Sequence, residues 1–581
     1  MKAKKSPVLL LRQGVLLTWH NINVTSKKKS KKTKEITHIL KNITGYVAPG
    51  QLIAIMGSSG AGKTTFLNTL ANRNLRNVNI SGKILVNGKL LDNDDMADIS
   101  EYVQQDDLFY GEFTPREHLN FHANLRKLKE PQERISQVLE EMNLNGCQDI
   151  KIGQLRGKGA RISGGERKRL SFATKILNQP ALLFCDEPTS GLDSFLAHQV
   201  VSSLKRISSS GTTVLATIHQ PSSKTFDLFD KILILCRGQC AFLGNKKEAL
   251  SYFEKVLKMP CPKSFNPADH YIEVFSNRNE NGIAPEDSDE VCGIICQRLE
   301  AYKTSQLYKN NESKLSKNLR DFSNFRLKSQ NIKLSKRAPI FKQLKWLFWR
   351  SFIINYRNPV IIVLKIVQQI SMAVVLGLIY LNLPYKNYVG VIENCDKITG
   401  SKNGAPITST PEVMNINGAI FNVITANSFP GVFGVVNTFP IMLPAWREEY
   451  YGGLYSLSIA FLAENLTQLP LQIILPLISS SIFYFLFGLI PSFIKYMIFF
   501  LIYQLASQCA ISFGYLMSSL SDNITIISGV TGAAITPLMI FGGFFLNARA
   551  IPVYFDWMKY ISWFYYSNIT IIASIVTTPK K

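Results

Sequence analysis

The sequence predicts an α/β domain built around a phosphate-binding loop, followed by an all-α polytopic membrane domain. Of the 581 residues, the first 350 hold 54 of the 65 Lys and Arg and 33 of the 41 Asp and Glu, a net charge of +21. A glycine-rich loop follows an apolar run near residue 57, and apolar stretches long enough to cross a bilayer begin near residue 360. The chain is therefore a charged half followed by an apolar half.

The phosphate loop is the most informative segment of the charged half. Residues Gln51–Met56 have the pattern of a buried strand, and a helical run follows the loop, which is the context that such a loop requires. The loop residues are Gly57, Ser58, Ser59, Gly60, Ala61, Gly62, Lys63, Thr64 and Thr65. Backbone N–H groups would wrap the phosphates, Lys63 would reach the β- and γ-phosphates, and Thr64 would ligate Mg²⁺.

Two further segments extend this site. The apolar strand Ala181–Cys185 ends in Asp186 and Glu187. An acid at a strand end can hold the Mg²⁺ shell, and the next carboxylate can polarise an attacking water. Between the loop and this strand lies a turn that opens a helix, formed by Ser163, Gly164, Gly165 and Glu166. Exposed N–H groups at this helix start would bind a phosphate anion, and the whole set indicates a nucleotide hydrolase.

The order and spacing of these motifs resemble the ATPase of ABC transporters. Gln105 lies between the phosphate loop and the helix that begins at Ser163, Leu192–Ser194 follows the Asp-Glu strand, and His219 follows the strand Thr213–Thr217. The resemblance implies that Ser163–Glu166, the signature of this family, closes on ATP held by a partner subunit.

The resemblance also implies a role for each remaining motif. ATP and Mg²⁺ are the expected ligands, with Thr64 and Gln105 on the metal and Asp186 acting through water. Glu187 is expected to be the catalytic carboxylate, and His219 to contact the γ-phosphate. Gln105 is expected to couple the nucleotide to the membrane domain.

Five apolar stretches of the second half are predicted to span the membrane. They are residues 360–381, 418–443, 457–487, 494–518 and 524–546. Polar residues in or beside them, such as Lys365 and Glu464, should face neighbouring helices or a wet cavity, because polar groups are costly in lipid. Ile340–Tyr356 has the composition of an amphipathic helix in the inner interface. The aromatic-rich segment Pro552–Val576 is either an interfacial or re-entrant piece or a short sixth span.

We divide the chain accordingly. Residues 1–275 are the nucleotide-binding domain with a basic N-terminal segment, 276–338 a linker, 339–358 an amphipathic connecting helix, and 359–581 the transmembrane domain. One nucleotide domain followed by one membrane domain resembles the G subfamily of ABC half-transporters. The segments Thr217–Ser223 and Asn266–Asp269 also match that subfamily.

Within the subfamily, Met414–Phe421 and Phe541–Tyr554 are most similar to the White-type transporters of eye-pigment precursors. That resemblance implies pairing with a second G-subfamily half-transporter, with a heterodimer favoured over a homodimer. It implies a small heteroaromatic cargo, derived from pteridine, purine or tryptophan, and a location in the plasma membrane or in an intracellular vesicle or pigment granule, with the nucleotide domain in the cytosol. The substrate path that it implies is lined by Phe429 and Thr536, below a gate of Phe544 and Phe545.

Two departures from the family keep other functions open. Residues 392–412 lengthen the first loop of the membrane domain, and the family has a sixth helix beyond the point where this chain stops, at Lys581. A sterol- or lipid-type half-transporter and a truncated, non-transporting regulatory subunit are therefore alternatives. The total charge of +24 suggests nucleic-acid binding as another alternative function. No RNA-binding motif accompanies the lysine runs, however. We expect contacts with membrane lipid and no nucleic-acid partner.

Overall fold

The fold is taken from a computed structural model. It describes residues 14–29, 36–73, 75–91, 93–153, 161–275, 289–323, 337–381, 411–546 and 551–576, and the predicted insertion 392–412 falls almost entirely outside them. The chain divides into two compact units. The first comprises Met1–Pro339 with Gly452–Leu454, and the second comprises Ile340–Tyr451 with Tyr455–Lys581.

Two sheets form the framework of the first unit. The strands are β1 Leu17–Lys29, β2 Ile36–Val47, β3 Leu52–Met56, β4 Val78–Val86, β5 Lys89–Leu90, β6 Ser100–Val103, β7 Leu182–Cys185, β8 Thr213–Thr217, β9 Lys231–Cys236 and β10 Gln239–Gly244. An antiparallel sheet has the order β2-β1-β4-β5, and a second sheet has the order β10-β9-β3-β8-β7-β6. In the second sheet only β10 is antiparallel to its neighbour. The central strands are buried along their whole length, as expected of a parallel sheet that is covered on both faces.

Helices surround the second sheet. They are α1 Lys63–Leu70, α2 Asn93–Ile99, α3 Pro115–Leu125, α4 Pro131–Glu141, α5 Gly164–Ile176, α6 Ser194–Ser209, α7 Ser223–Phe226, α8 Lys246–Ser251, α9 Pro267–Val274, α10 Asp289–Thr304 and α11 Gln306–Ser323. Polar side chains start several of them: Thr114 and Ser163 cap α3 and α5 in complete capping boxes, and Asp193 caps α6.

The described part of the predicted linker contains two helices, α10 and α11. Helix α10 packs on β10, and α11 packs on β2. The Tyr302 hydroxyl donates to the Leu243 carbonyl (3.4 Å), and the Asn311 side-chain amide donates to the same oxygen (2.7 Å). These contacts fix residues 289–323 to the nucleotide-binding unit, so the chain between the two units is shorter than its composition suggests.

The second unit is helical. Its helices are α12 Ile340–Arg357, α13 Pro359–Ile379, α14 Pro411–Val436, α15 Phe439–Tyr451, α16 Leu457–Leu486, α17 Phe493–Ser518, α18 Ile524–Ile540 and α19 Trp563–Val576. In the described part of the chain, four segments are long and apolar enough to cross a membrane: Ile362–Ile379, Asn415–Tyr451, Leu457–Leu486 and Phe493–Ser518. The fifth predicted span corresponds to α18, which has 17 residues. It ends before Gly542 and Gly543, and Gly543 has a φ of +87° that stops helix continuation.

The aromatic segment after α18 packs against the other helices. A 3₁₀ turn over Val553–Tyr560 leads into α19, which contacts α14, α17 and α18. Phe564 is fully buried, the Ser562 hydroxyl donates to the Leu538 carbonyl (2.6 Å), and the Trp563 indole donates to the Ser428 hydroxyl (3.2 Å). This segment is therefore a 14-residue helix anchored in the bundle.

Polar contacts connect the helices of the second unit. Pro476 lies inside α16 and offers no N–H to the Gln472 carbonyl, which instead accepts from the Gln504 side chain of α17 at 3.1 Å. The Arg350 guanidinium of α12 is fully buried and donates to Glu449 (2.7 Å) and to the Tyr455 hydroxyl (3.2 Å). Removing one member of this group would leave a buried charge without its partner, which is strongly destabilising.

Candidate nucleotide and transport sites

The phosphate loop connects β3 to α1 with a backbone that requires glycine at two points. Gly57 has a φ of +149°, and a Cβ there would lie 2.2 Å from the Leu235 carbonyl oxygen. Gly62 has a φ of +96°, and its Cβ would lie 2.7 Å from a methyl carbon of Leu40. The loop can therefore adopt this backbone conformation only with these glycines. In this conformation the backbone N–H groups of the loop lie at the start of α1.

Lys63 is the first residue of α1 and turns back into the loop. Its ammonium is buried and donates to the carbonyls of Gly57 (2.9 Å) and Ser58 (3.0 Å). Burial lowers the pKa of Lys63, and the nearby carboxylates of Glu187 and Asp186 oppose that shift. Two neutral carbonyls hold this cation, and no ion pair to it occurs among the described residues, which leaves its charge available to the phosphates of a nucleotide.

Four predicted site residues meet at the ends of β6, β7 and α1. The Thr64 hydroxyl donates to Asp186 Oδ1 at 3.1 Å, which joins the two residues predicted for the Mg²⁺ shell. The Gln105 side-chain amide donates to Glu187 Oε2 at 2.9 Å. Oxygen ligands from a hydroxyl, an amide and a carboxylate are those that Mg²⁺ prefers, so this donor set fits the ion.

Thr217 also belongs to this group and was missed by the sequence reasoning. Its hydroxyl donates to Asp186 Oδ1 (2.8 Å) and accepts the Glu187 backbone N–H (2.7 Å). Thr217 is the last residue of β8, and β8 is the parallel neighbour of β7 with Cys185 opposite Ala216. The sequence feature that could have identified Thr217 is a hydroxyl residue at the end of the strand beside the Asp-Glu strand.

Glu187 has an unusual backbone conformation. Its φ is +42°, in the left-handed region that residues with a side chain rarely adopt. The hydrogen bonds from its N–H to Thr217 and from Gln105 to its carboxylate hold the residue there. Such conformations concentrate at active sites, which agrees with a catalytic role for this carboxylate.

The signature segment forms the first turn of α5. The Ser163 hydroxyl accepts the Glu166 N–H (3.2 Å), and the Glu166 carboxylate accepts the Ser163 N–H (2.8 Å). Glu166 therefore stabilises the helix start. Ser163 and Gly164 are exposed, and the N–H groups of a first helical turn have no partner within the helix. The geometry suits an anion approaching from outside the chain.

Lys168 joins the signature helix to the segment that contains Gln105. Its ammonium is buried and donates to the carbonyls of Gln104 (3.0 Å) and Gln105 (2.9 Å), and it lies 3.2 Å from a carboxylate oxygen of Asp107. Burial raises the pKa of Asp107, while the positive charge of Lys168 lowers it. Sequence reasoning missed this lysine, because a basic residue on a charged helix gives no sign of burial.

Two further residues of the first unit have contrasting environments. His219 lies exposed just beyond β8, where a nucleotide could reach it. Trp19 is an aromatic residue upstream of the phosphate loop, and it is fully buried on β1 with its ring edge-on to Phe66 at 5.6 Å. It therefore belongs to the core and offers no face to an adenine ring.

Comparison with known proteins identifies the family. Residues 40–190 match the model described as ABC transporter, and residues 342–576 match the model described as ABC-2 type transporter. The chain is 39% identical to Protein white of Drosophila melanogaster over 91% of this chain and 73% of that protein. The chain belongs to the G subfamily of ABC half-transporters. It is also 33% identical to Protein scarlet of Drosophila melanogaster (97% and 80% covered) and 31% identical to the broad substrate specificity ATP-binding cassette transporter ABCG2 of Bos taurus (95% and 83%).

Membership of this subfamily has direct consequences. The chain is an integral multi-pass membrane protein with a cytosolic nucleotide-binding domain. It binds ATP and couples ATP hydrolysis to transport as one half of a dimer.

The four residues predicted for the substrate path of this half-transporter lie in two places. Phe544 stacks on Phe421 of α14 (5.0 Å between centroids), and Phe545 meets the same ring edge-on (5.4 Å). Phe429 lies two turns further along α14 and is partly buried beside the apolar core of the bundle. The Thr536 side chain is exposed, and its hydroxyl donates to the Gly532 carbonyl (2.8 Å). Phe544 and Phe545 thus form one aromatic cluster with Phe421, while Phe429 and Thr536 stay outside it.

Proposed function

We propose that this half-transporter moves small heteroaromatic molecules, of the pteridine, purine or tryptophan-derived class, across its membrane together with a different G-subfamily half-transporter. The likeness to Protein white over 91% of the chain carries the proposal. The aromatic cluster Phe421–Phe544–Phe545 supports it, because flat ring systems stack on aromatic side chains.

Hydrolysis is assigned to Glu187, which polarises the attacking water. Gln105 and Thr64 would hold Mg²⁺, and Asp186 would act on it through water. Thr217 orients Asp186 and Glu187 together. His219 contacts the γ-phosphate, and Ser163–Glu166 closes on the ATP of the partner. The hydrogen bonds of Thr64, Gln105 and Thr217 are the observations that support these roles.

Vesicle uptake tests this proposal. Guanine, pterin and tryptophan are offered to inside-out vesicles that contain this chain alone or with each related half-transporter of the same genome. We expect ATP-dependent uptake of at least one compound, only with a particular partner. Uptake of none of them, with sterol efflux instead, would favour the sterol-type alternative.

Glu187→Gln is the matched control for these assays. General-base catalysis contributes about 10²–10⁴-fold, so we expect hydrolysis and uptake to fall by about that factor while ATP still binds. Uptake at the normal rate by this variant, paired with its partner, would show that Glu187 is not the catalytic carboxylate.

A further inference from the structure

A cavity of about 530 Å³ lies within the helical unit of a single chain, between α12, α13, α14, α16 and α17. Its size is in the range that holds small organic ligands. None of the four residues of the predicted substrate path lines it. Phe433, which does line it, stacks on Phe429 at 6.1 Å. The cavity is therefore a separate space, and α14 lies beside both.

Three residues of α14 without long side chains leave room for the cavity. Pro430, Gly431 and Gly434 line the cavity, and a Cβ added to Gly434 would meet no atom within 4 Å. Ile511 and Tyr515 of α17 add apolar and aromatic surface to the lining. A ligand with a flat or apolar body would contact these walls.

The cavity holds one charge of each sign, Lys365 and Glu464, and the two do not form a direct ion pair. Glu464 is buried, and its carboxylate accepts hydrogen bonds from Ser351 (2.7 Å) and Gln468 (2.7 Å). Lys365 also lines the cavity and is attracted by Glu464, but in the described part of the chain no carboxylate lies within the 4 Å of a direct ion pair from its ammonium, so the ammonium can still bind an anion. Gln368 follows one turn later on the same face of α13. An intramembrane cation without a close counter-ion is costly, and such residues mark ligand or ion sites.

We propose that this cavity is an anion-binding site within one subunit. Lys365 and Gln368 bind the carboxylate or phosphate of an amphipathic ligand, and its apolar body lies against Phe433, Ile511 and Tyr515. The ligand comes either from a soluble organic acid or from an anionic lipid headgroup. The site does not depend on the cargo or partner proposed above, because every residue that forms it belongs to this chain.

Binding of tritiated 2-naphthoate to the full chain in phosphatidylcholine nanodiscs tests the site, with empty nanodiscs subtracted. Charge-assisted hydrogen bonds contribute enough that we expect Lys365→Gln to weaken binding by about tenfold or more. Lys365→Arg should stay within about threefold of the wild type. Lys495→Gln is the matched control, since Lys495 lies on α17 outside the cavity, and it should bind normally.

Two further measurements keep the test decisive. The neutral analogue 2-naphthamide should bind weakly and equally to the wild type and Lys365→Gln, which shows that the variant is folded. Gly434→Leu fills the space and should remove binding of both compounds. Unchanged naphthoate binding by Lys365→Gln, or an equal loss with Lys495→Gln, would overturn the proposal.

The source of the anion follows from nanodiscs that contain phosphatidic acid. If this lipid displaces naphthoate and co-purifies with the wild type but not with Lys365→Gln, the site binds a lipid headgroup. If naphthoate binding is unchanged, the site binds a soluble organic anion. Both results support the site and assign its ligand.

Discussion

Thr217 links the two acidic residues of the nucleotide site through a single hydroxyl. Replacing it with Val removes the hydrogen bond to Asp186 and leaves the Glu187 N–H without its acceptor. A buried donor left without a partner costs about 1–3 kcal/mol. Because Glu187 already has a strained backbone, we expect Thr217→Val to lower the hydrolysis rate about tenfold and ATP affinity much less. Steady-state ATPase assays with nucleotide-binding measurements check this.

Thr213 supplies a control on the same strand. It is equally buried, and its hydroxyl donates to the Val15 carbonyl at 2.8 Å, away from the acidic pair. Thr213→Val should lower thermal stability but leave the ATPase rate per folded molecule unchanged, and Thr217→Ser should retain activity. Equal loss of activity in both valine variants would mean that Thr217 acts only through stability.

Lys231 makes the nucleotide-binding unit sensitive to pH. Its ammonium lies 3.4 Å from the centroid of the Tyr46 ring, and burial lowers its pKa to about 7, with Lys314 adding to the shift and Glu248 opposing it. The unfolded chain keeps the ordinary, higher pKa, so it binds more protons above pH 7. The unfolding free energy of the unit should therefore rise from pH 7 to 9, by about 2 kcal/mol.

Lys231→Met removes this titration. Melting temperatures of the full chain between pH 6.5 and 9 should rise less steeply for this variant than for the wild type. Lys224→Met, at an exposed lysine of the same unit, should keep the wild-type slope. Parallel curves for all three proteins would show that Lys231 is not the group responsible.

At the level of elements, two predicted functions lie within the first two turns of helix α5. Its first turn presents the signature, and Lys168, one turn later, holds the carbonyls of Gln104 and Gln105. A movement of α5 caused by the partner's nucleotide would therefore shift the segment that places Gln105 beside Glu187. Such coupling would run through the hydrogen bonds of Lys168 within one domain.

Lys168→Met tests this connection. The change leaves two carbonyls and Asp107 without their donor, so we expect ATP hydrolysis to fall several-fold, with a larger loss in the stimulation of hydrolysis by transported substrate. Lys175→Met is the matched control, because Lys175 is also buried, two turns further along the same helix. If Lys175→Met lowers substrate stimulation equally, general destabilisation of α5 is the cause.

The elements also show where sequence reasoning succeeds and where it stops. Local patterns fix the phosphate loop and the Asp-Glu strand, because glycine geometry and strand burial are encoded within a few residues. Contacts such as Thr217–Asp186 and Lys168–Gln105 join residues 31 and 63 positions apart, and a single sequence does not report them. In the membrane half, the predicted helix ends differ from the observed ones for another reason. Hydropathy suggests one span over 418–443, while the backbone breaks between Val436 and Phe439 and continues as helix to Tyr451.

For the whole molecule, the uneven charge acquires a structural meaning. The basic and acidic residues concentrate in a cytosolic unit that handles a polyanionic nucleotide, whereas the few charges of the helical unit are individually placed. Arg350 is paired with Glu449, Glu464 is satisfied by neutral donors, and Lys365 faces a cavity. The small net charge of the second half therefore gives no indication of these individually placed polar residues.

The proposed sharing of each ATP site between two subunits belongs to the scale of the dimer. Helix α1, which begins at Lys63, packs on β8 and β2, whereas α5, which begins with the signature, packs on α3, α4, α6 and β6. The two helices whose first turns are predicted to bind phosphate therefore pack on different elements of the chain. The arrangement agrees with each of them serving a different ATP.

This separation predicts distinct effects of two variants in the assembled dimer. Lys63→Ala should abolish photolabelling of this chain by 8-azido-ATP, because its own loop loses the phosphate-binding cation. Gly164→Asp should leave that labelling intact but lower labelling of the partner chain, because the added carboxylate repels the phosphates that approach α5. The two chains are separated on a gel after labelling at low nucleotide concentration. If Gly164→Asp instead removes labelling from its own chain, the signature serves the loop of the same subunit and the shared-site arrangement is wrong.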